Sequence, residues 1–512
     1  VTERVALPAA LAVLCMPIIL YGIGSYSLVN GDEGIYHYMA RHMVESGNWF
    51  RLEFTGEQRV YDTLTHAPLY LWAKAVVILV FGDSYLSMRL LSASLGVVSV
   101  LATYRLVDHL ANPRAAFIAG LVQSTTFAFV YLHAARTGEM ETAIALAFTL
   151  AVISFLRALD SGKGFGAHHL CLIALMNLKL ALVAIPILAE AAYFAIQPAA
   201  RARLRDWVKT ACWMIPLGLA WHGYQLFVHF DELGSVTREL LGQSWGATPG
   251  RAGGIGPVGR AGYYARELVF SAYPHVLFYP WALGSVLAGA RHDDDRRGWT
   301  LVALFIASVC LFFLSITIHQ PWYLLPAIPL AAAFMGAALE RLTRERPGPV
   351  ALGSIAVAAA VAMSVRLPLI DFDPFVERAA VATPPLAWSG FPALGVMLLV
   401  ALAAAAVVAH FRALRPVTIA APLIVGLLAV GGIRVVAPLR FVHHESEMER
   451  LHSQLESARL AGKRIGYPVV VRENGMLKAR YFFADEFDVH RLSRERRARG
   501  EYFELREKRG GR

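Results

Sequence analysis

Apolar stretches of about 20 residues, the length that carries a helix across a bilayer, recur from residue 5 to residue 438, separated by short polar connections. A backbone surrounded by lipid must satisfy its hydrogen bonds within its own segment, so these stretches are expected to be helices. Basic connections recur at residues 105–114, 157–163, 201–209 ("RARLRDWVK"), 291–297 ("RHDDDRR"), 341–346 ("RLTRER") and 412–415. The positive-inside rule puts all of them on the cytoplasmic side, so the chain must go out and come back between each pair. Two stretches need separate treatment. Residues 67–82 ("APLYLWAKAVVILVFG") are short for a crossing and read as an interfacial or re-entrant helix on the outer side. Residues 164–200 must cross twice, turning near "NLKLA" with Lys179 at or below the outer surface. The fold expected is an all-α polytopic membrane protein with about 13 transmembrane helices, N-terminus inside and C-terminus outside.

Composition agrees. Of 512 residues, 56% are hydrophobic and only 17% charged, and the mean hydropathy is +0.49, outside the range of ordinary soluble domains. The net charge of +10 is carried mostly by the short connections and the last 70 or so residues, so membrane topology accounts for it and no nucleic-acid partner is implied. All four cysteines lie in apolar stretches, without disulfide or metal spacing. Residues 5–29 are too long for a signal-peptide core and lack a small-residue cleavage site, so they are expected to stay as a helix.

This frame divides the chain into a transmembrane domain, residues 1–439, with outer loops at 30–66 and 231–268, and a small extracytoplasmic α/β domain, residues 440–512. In the latter, "ESEMERLHSQLESARLAG" has a helical pattern, while "RIGYPVVV" and "KARYFFA", separated by "ENG", read as strands. Whole domains translocate despite their basic residues.

Polar residues converge on the outer face. Asp32 and Glu33 follow the first apolar stretch; "THAPLY" brings His66; "HAARTGEMET" places Arg136, Glu139 and Glu141 at a hairpin between two crossings; Lys179 sits at a turn; "IHQPWYLLPAIP" adds His319, Trp322 and Tyr323. Ionisable groups at membrane depth are costly and mark function by default. Carboxylates can take a proton from an attacking hydroxyl, and Arg, Lys and His can hold a phosphate leaving group. Each residue has a competing structural account. Glu141 opens a helix and suits its dipole; Arg136 and Lys179 can snorkel to headgroups; Trp322 can belong to an interfacial belt. His222 and His229 in "WHGYQLFVH" share a helical face, as metal ligands would, but lack a third ligand.

At these residues the sequence resembles the polytopic GT-C fold glycosyltransferases that include bacterial aminoarabinose transferase and the protein O-mannosyltransferases. "GDEGIYHYMARHMVESGNW" resembles their first outer loop, an Asp-Glu followed by a Tyr, here Tyr36, on an amphipathic helix. "HAPLYLW" resembles their Lys-Pro-Pro-Leu-Tyr-Tyr-Trp motif, "ARTGEMETAIALAF" their Ala-Arg-Thr-x-x-x-Asp helix start, and "NLKLALVAIP" their Thr-Lys-Gly segment. Further landmarks, "RELLGQ", "GGIGP", "GYYARELVF", "FYPWAL" and "HQPWYLLPAIPLAA", follow in the same order.

The resemblance implies a bacterial cytoplasmic-membrane enzyme that transfers a sugar from a polyprenyl-phosphate carrier to an envelope lipid, glycan or protein on the outer side. Asp32 takes the place of the family's essential first-loop Asp, with Glu33 beside it, and Glu141 stands where the family has Asp. His66, Arg136, Lys179, His319, Tyr323 and Tyr36 fall in motifs expected to bind the donor's phosphate and lipid. No nucleotide cofactor is signalled; a divalent metal is left open, with His66, His222 and His229 as candidate ligands. The family's Glu-Lys ahead of the prolines is replaced by Thr65 and His66, and Ile35 stands where the aminoarabinose enzymes carry Arg. Both departures point away from aminoarabinose as the sugar. The readings in competition are a secondary transporter or lipid flippase and an inactive relative acting as a scaffold.

Overall fold

The computed structural model describes residues 2–26, 31–50, 52, 67–228, 230, 256–289, 293–316, 319–345 and 416–436, with residues 457 and 460 and three short strands near the C-terminal end. The fold is a helical bundle. Its first half comprises α1 (Thr2–Leu20), α2 (Gly31–Ser46), α3 (Pro68–Phe81), α4 (Tyr85–Leu110), α5 (Pro113–Ser124), the single turn α6 (Phe127–Tyr131), α7 (Glu141–Ser161), α8 (Gly166–Lys179) and α9 (Ala184–Ile196). The second half adds α10 (Leu204–Val228), α11 (Pro257–Ser271), α12 (Tyr279–Gly289), α13 (Asp293–Ser315), α14 (Ile328–Arg344) and α15 (Val417–Val436).

Local sequence sets the boundaries. Ser84 and Ser87 form a reciprocal capping box at the start of α4, and Asn112 caps α5 with Pro113 at its first position, each satisfying amides that a helix start leaves open. The apolar stretch that follows the basic connection at 105–114 is interrupted. Thr125 and Thr126 turn their hydroxyls back onto Leu121 O and Val122 O (both 2.7 Å), which competes with helix propagation, and α6 starts only afterwards. The reversal expected near "NLKLA" is found. α8 ends at Lys179, a 3-10 turn spans Leu180–Val183, and α9 runs back, because His168 near the start of α8 lies 3.1 Å from Glu190 of α9. A straight helix would separate these residues by about 33 Å at 1.5 Å per residue.

By length and composition, the stretches able to cross a membrane among the described residues are Glu3–Leu20, Tyr85–Leu110, Glu141–Ser161, Gly166–Ile196, Arg296–Ser315 and Leu325–Arg344; the apolar helices Pro68–Phe81 and Ala420–Val436 are shorter. Residues 346–415, expected to supply further crossings, lie outside the described residues. In the tail, the strand expected at "RIGYPVVV" is present as β1 (Arg464–Pro468). Its partners are β2 (His490–Leu492) and β3 (Tyr502–Glu504), both parallel to it, in the order β2-β1-β3. Parallel neighbours need crossover connections rather than a tight turn. Of the helix expected over "ESEMERLHSQLESARLAG" (445–462), Ser457 and Leu460 are described and are helical; its other residues and the strand at "KARYFFA" lie outside the described residues.

The ends of the bundle differ in chemistry. At one end Arg114 meets Glu3 (2.8 Å), Arg4 meets Asp108 (3.9 Å), His109 meets Asp160 (3.0 Å), and Arg203 donates to Lys163 O (3.0 Å). This gathers the N-terminus and the basic connections at 105–114, 157–163 and 201–209. Arg89 and Asp108 of α4 are 19 residues apart, about 28 Å along the helix axis, and Arg89 belongs to the opposite end, together with Glu33 and the 133–141 turn.

Packing of α14 against α5 lies at the centre of the bundle. It depends on small residues: a Cβ at Gly336 would sit 2.5 Å from both Ala115 O and Ala119 Cβ. Such close backbone approach is how helices associate where lipid removes the hydrophobic drive between them. Gly336→Val is therefore expected to destabilise the protein by about 1–3 kcal/mol through overpacking, read as a lower melting temperature of the detergent-purified chain; an unchanged melt contradicts this packing.

Candidate functional site

The site begins with a buried ion pair. Glu33, in the first turn of α2, is fully buried, and Arg89 of α4 grips it with two bonds, Nε to Oε1 (2.6 Å) and Nη2 to Oε2 (3.0 Å). The Gly138 amide donates to Glu33 Oε1 (3.0 Å), and Arg89 Nη1 donates to Ile23 O and Tyr26 O (2.9 and 2.7 Å). One pair thus ties together the end of α1, the start of α2, α4 and the 133–141 turn. The buried Lys74 of α3 joins by donating to Gly138 O (2.7 Å). Residue 138 has to be glycine, since a Cβ would lie 2.7 Å from Met88 O and 3.0 Å from both Glu33 Cγ and Lys74 Nζ.

Against this anchor lies a group of acids. Asp32 keeps 45% of its side-chain surface accessible. Burial raises its carboxyl above the ordinary value, with the Lys179 charge pulling the other way. Glu141, in the first turn of α7, is buried, its Oε2 has no hydrogen-bond partner among the described residues, and it lies within electrostatic range of Lys179 and Asp32. Lys179 occupies the break between α8 and the 3-10 turn, its Nζ 5.6 Å from the Tyr323 ring centre. Tyr36, one turn along α2 from Asp32, is buried edge-on against Tyr70 (6.0 Å) and close enough to feel Glu141, Asp32 and Glu139; burial, then these charges, raises its phenol well above the ordinary value. Tyr70 and Ser92 share a hydrogen bond (2.6 Å), and Ser92 donates to Glu139 O (2.6 Å), which fixes the turn carrying both glutamates.

Other residues expected at the site have different surroundings. The Arg136 guanidinium is directed to carbonyls at the end of α1, those of Ile18 (2.9 Å), Ile19 (3.1 Å) and Tyr21 (2.6 Å). It completes a helix C-terminus, whose open carbonyls attract cations. His319 packs edge-on against Tyr263 (4.7 Å), four residues before Tyr323. His222 donates from Nε2 to Met176 O (3.0 Å), bonding α10 to α8. His66 and His229 lie outside the described residues. Among the described residues, no group of three or more His, Cys, Asp and Glu side chains is arranged to hold a metal ion.

Two participants escaped the sequence reading. Arg89 stands in an apolar helix, where a charge is itself a signal of a buried partner, but nothing in "SYLSMRLL" tells that the partner is Glu33. His133 heads the "HAARTGEMET" turn. Its φ of +53° is the only left-handed non-glycine conformation among the described residues, a property that the sequence does not display.

Comparison with known proteins follows this geometry. The family described as dolichyl-phosphate-mannose-protein mannosyltransferase matches residues 65–221, from α3 through most of α10. ArnT from Cupriavidus metallidurans, crystallised bound to undecaprenyl phosphate, superposes with a TM-score of 0.64 at 17% identity, over 94% of this chain and 85% of that one. Its apo form gives 0.57 at the same identity, over 94% and 84%. The fold is that of the GT-C transferases. An uncharacterised protein of Aquifex aeolicus is 23% identical over 331 residues, which are 63% of this chain and 62% of that one, so the chain spans less than two thirds of that relative's length.

In this GT-C bundle the Glu33–Arg89 pair positions Asp32, and removing one partner strands the other charge in a dry interior. Arg89→Met is expected to cost about 3–5 kcal/mol, and adding Glu33→Gln to restore part of that loss. Melting temperatures of the two variants and the double variant test this; an Arg89→Met melt equal to wild type excludes the anchor.

Proposed function

We propose that the protein is an integral-membrane glycosyltransferase that moves a sugar from a polyprenyl-phosphate carrier to an acceptor hydroxyl on an envelope lipid, glycan or protein. The observation that carries this reading is the meeting of Asp32, Glu141 and Lys179 at one end of a GT-C bundle, opposite the end where basic connections gather. Positive-inside bias makes that basic end cytoplasmic, which supports a multi-pass protein of the bacterial cytoplasmic membrane with its site facing out. The count of about 13 crossings and the separate outer α/β unit at 440–512 are part of the same proposal. The β1–β2–β3 sheet is in keeping with that unit.

The reaction is a single displacement. The carrier's phosphate lies against Lys179, with Tyr323 beneath the ammonium and His319, from the same segment as Tyr323, as a further donor; His66 is a further donor by its motif alone. The acceptor hydroxyl approaches the anomeric carbon while Asp32 takes its proton, so that the new acceptor–sugar bond forms as the sugar–phosphate bond breaks. The released polyprenyl phosphate keeps the bonding electrons and the negative charge, which Lys179 stabilises. Glu141 orients the sugar or acceptor through its Oε2, and Tyr36 closes the wall beside it. Glu33 acts through Asp32, as a positioning residue, and Arg136 holds the end of α1. Undecaprenyl phosphate, the ligand of the similar ArnT structure, is the carrier of choice. A transporter reading places its ionisable groups near the bilayer midplane between repeats, whereas these gather at one end.

Membranes containing the full chain, supplied with undecaprenyl-phosphate-linked mannose, glucose and arabinose, test the reading. Asp32→Asn is expected to lower release of undecaprenyl phosphate at least ~10²-fold with normal expression, and Lys179→Met to raise the KM for the donor. Turnover by Asp32→Asn at the wild-type rate removes Asp32 from the chemistry. The pH profile gives a second check. Asp32 works as the anion, and burial raises its pKa, so activity is expected to fall on acidification at higher pH than an exposed aspartate would dictate. An acid limb in kcat/KM at or below the ordinary aspartate value contradicts this.

A further inference from the structure

The pocket holds a second acid beside Asp32 that the displacement does not use, joined to it by an imidazole. His133 Nδ1 lies 3.9 Å from Asp32 Oδ2 and 3.4 Å from Glu139 Oε1. The ring is stacked on Trp322, with centroids 3.4 Å apart and planes 12° from parallel. His133 is buried and Glu139 fully so. The backbone that places the ring adopts φ +53°, which for a non-glycine residue costs of order 1–3 kcal/mol and persists where the surroundings over-determine it. Here they do: Ala135 and Arg136 amides bond back to Phe129 O and Val130 O (3.1 and 2.9 Å), closing the turn, while Trp322 covers the ring's face.

Resting on the transferase reading above, we propose that His133 and Glu139 form a proton-sharing pair that positions the Asp32 carboxylate toward the acceptor, with Trp322 as the platform that holds the imidazole. To hold Asp32, Nδ1 has to carry a hydrogen: as an imidazolium between two carboxylates, or as the Nδ1–H tautomer of a neutral imidazole beside a protonated Glu139. The pair is neutral in both cases. Asp32 therefore remains the anion that accepts the hydroxyl proton, and its Oδ2 is held on the side of Nδ1. Burial, followed by the Glu33 and Glu141 charges, raises Glu139 well above the ordinary carboxylate value, in keeping with a proton retained in this pair. No bond to the sugar involves His133, so its role is positioning.

The donor panel used above, with the full chain in nanodiscs, provides the test. His133→Gly keeps the left-handed backbone and removes the ring; it is expected to lower kcat by about 10²-fold, the scale of a misplaced catalytic group, with the donor KM unchanged within ~2-fold. His133→Asn tolerates the same backbone and puts an amide donor near the place of Nδ1; it is expected to recover kcat to within ~10-fold of wild type. Wild-type kcat in a folded His133→Gly variant overturns the proposal, as does equal slowness of both variants at unchanged melting temperature, or a loss expressed in KM alone. If His133→Gly does not fold, the His133→Asn rate decides by itself. Asp32→Asn separates the levels: an inactive Asp32→Asn beside a fully active His133→Gly sinks only the pair, whereas an active Asp32→Asn, or a wild-type protein that turns over none of the donors, sinks the transferase reading too.

Discussion

The Glu33–Arg89 ion pair is the constraint on which the rest of the pocket depends. Two opposite charges with no solvent exposure gain from each other only when their hydrogen bonds are nearly complete. Here they are: both carboxylate oxygens are engaged, one of them also by the Gly138 amide, and Arg89 adds two carbonyls from the end of α1. Because successive helical residues are about 100° apart around the axis, fixing Glu33 against α4 turns Asp32 toward the pocket. An adjacent acidic pair becomes an anchor and, in the reading proposed above, a working group. This division answers why the chain places two acids side by side where an apolar segment has just ended.

Asp32 and Glu141 both lie within electrostatic range of Lys179, and Glu139 lies against the His133 ring. In the reading proposed above, the carrier's phosphate is accepted at the side where Lys179 sits at a break between helices. A phosphate bound there would neutralise Lys179 and withdraw its charge from Asp32, which would make Asp32 a stronger base when the donor is in place, so that donor binding and base strength would be linked through one ammonium group.

Hydropathy and charge placement carried the helical class, the short helix at 68–81 and the reversal at Lys179, because each depends on patterns local in sequence. They carried less where helices are broken by side-chain chemistry, as at Thr125 and Thr126, or where pairing is long-range, as in the parallel strands of the tail. At the site, the convergence of Asp32, Glu141, Lys179 and Tyr323 was legible from the sidedness of the connections. The partner of Glu33 was not, since 56 residues separate it from Arg89. Nor was the occupation of Arg136, because whether a cation caps a helix or meets a ligand is decided by which carbonyls lie within reach.

Guanidinium groups in this protein serve the framework. Arg89 binds a carboxylate and two carbonyls; Arg136 binds three carbonyls; Arg434 of α15 donates to Tyr273 O (3.1 Å) and lies against the rings of Phe127, Phe270 and Tyr273. A planar fork with several fixed donors suits such permanent, many-partnered positions, and it stays charged when buried. Lys74 is committed to Gly138 O, whereas Lys179 is a compact charge on a flexible stem at a helix break. In the reading proposed above, where charge develops on one phosphate oxygen, a mobile point charge over an aromatic ring is better matched than a rigid fork already holding carbonyls. The clustered cations near one face therefore need not share one ligand, and their side-chain chemistry distinguishes those that build the pocket from the one placed to use it.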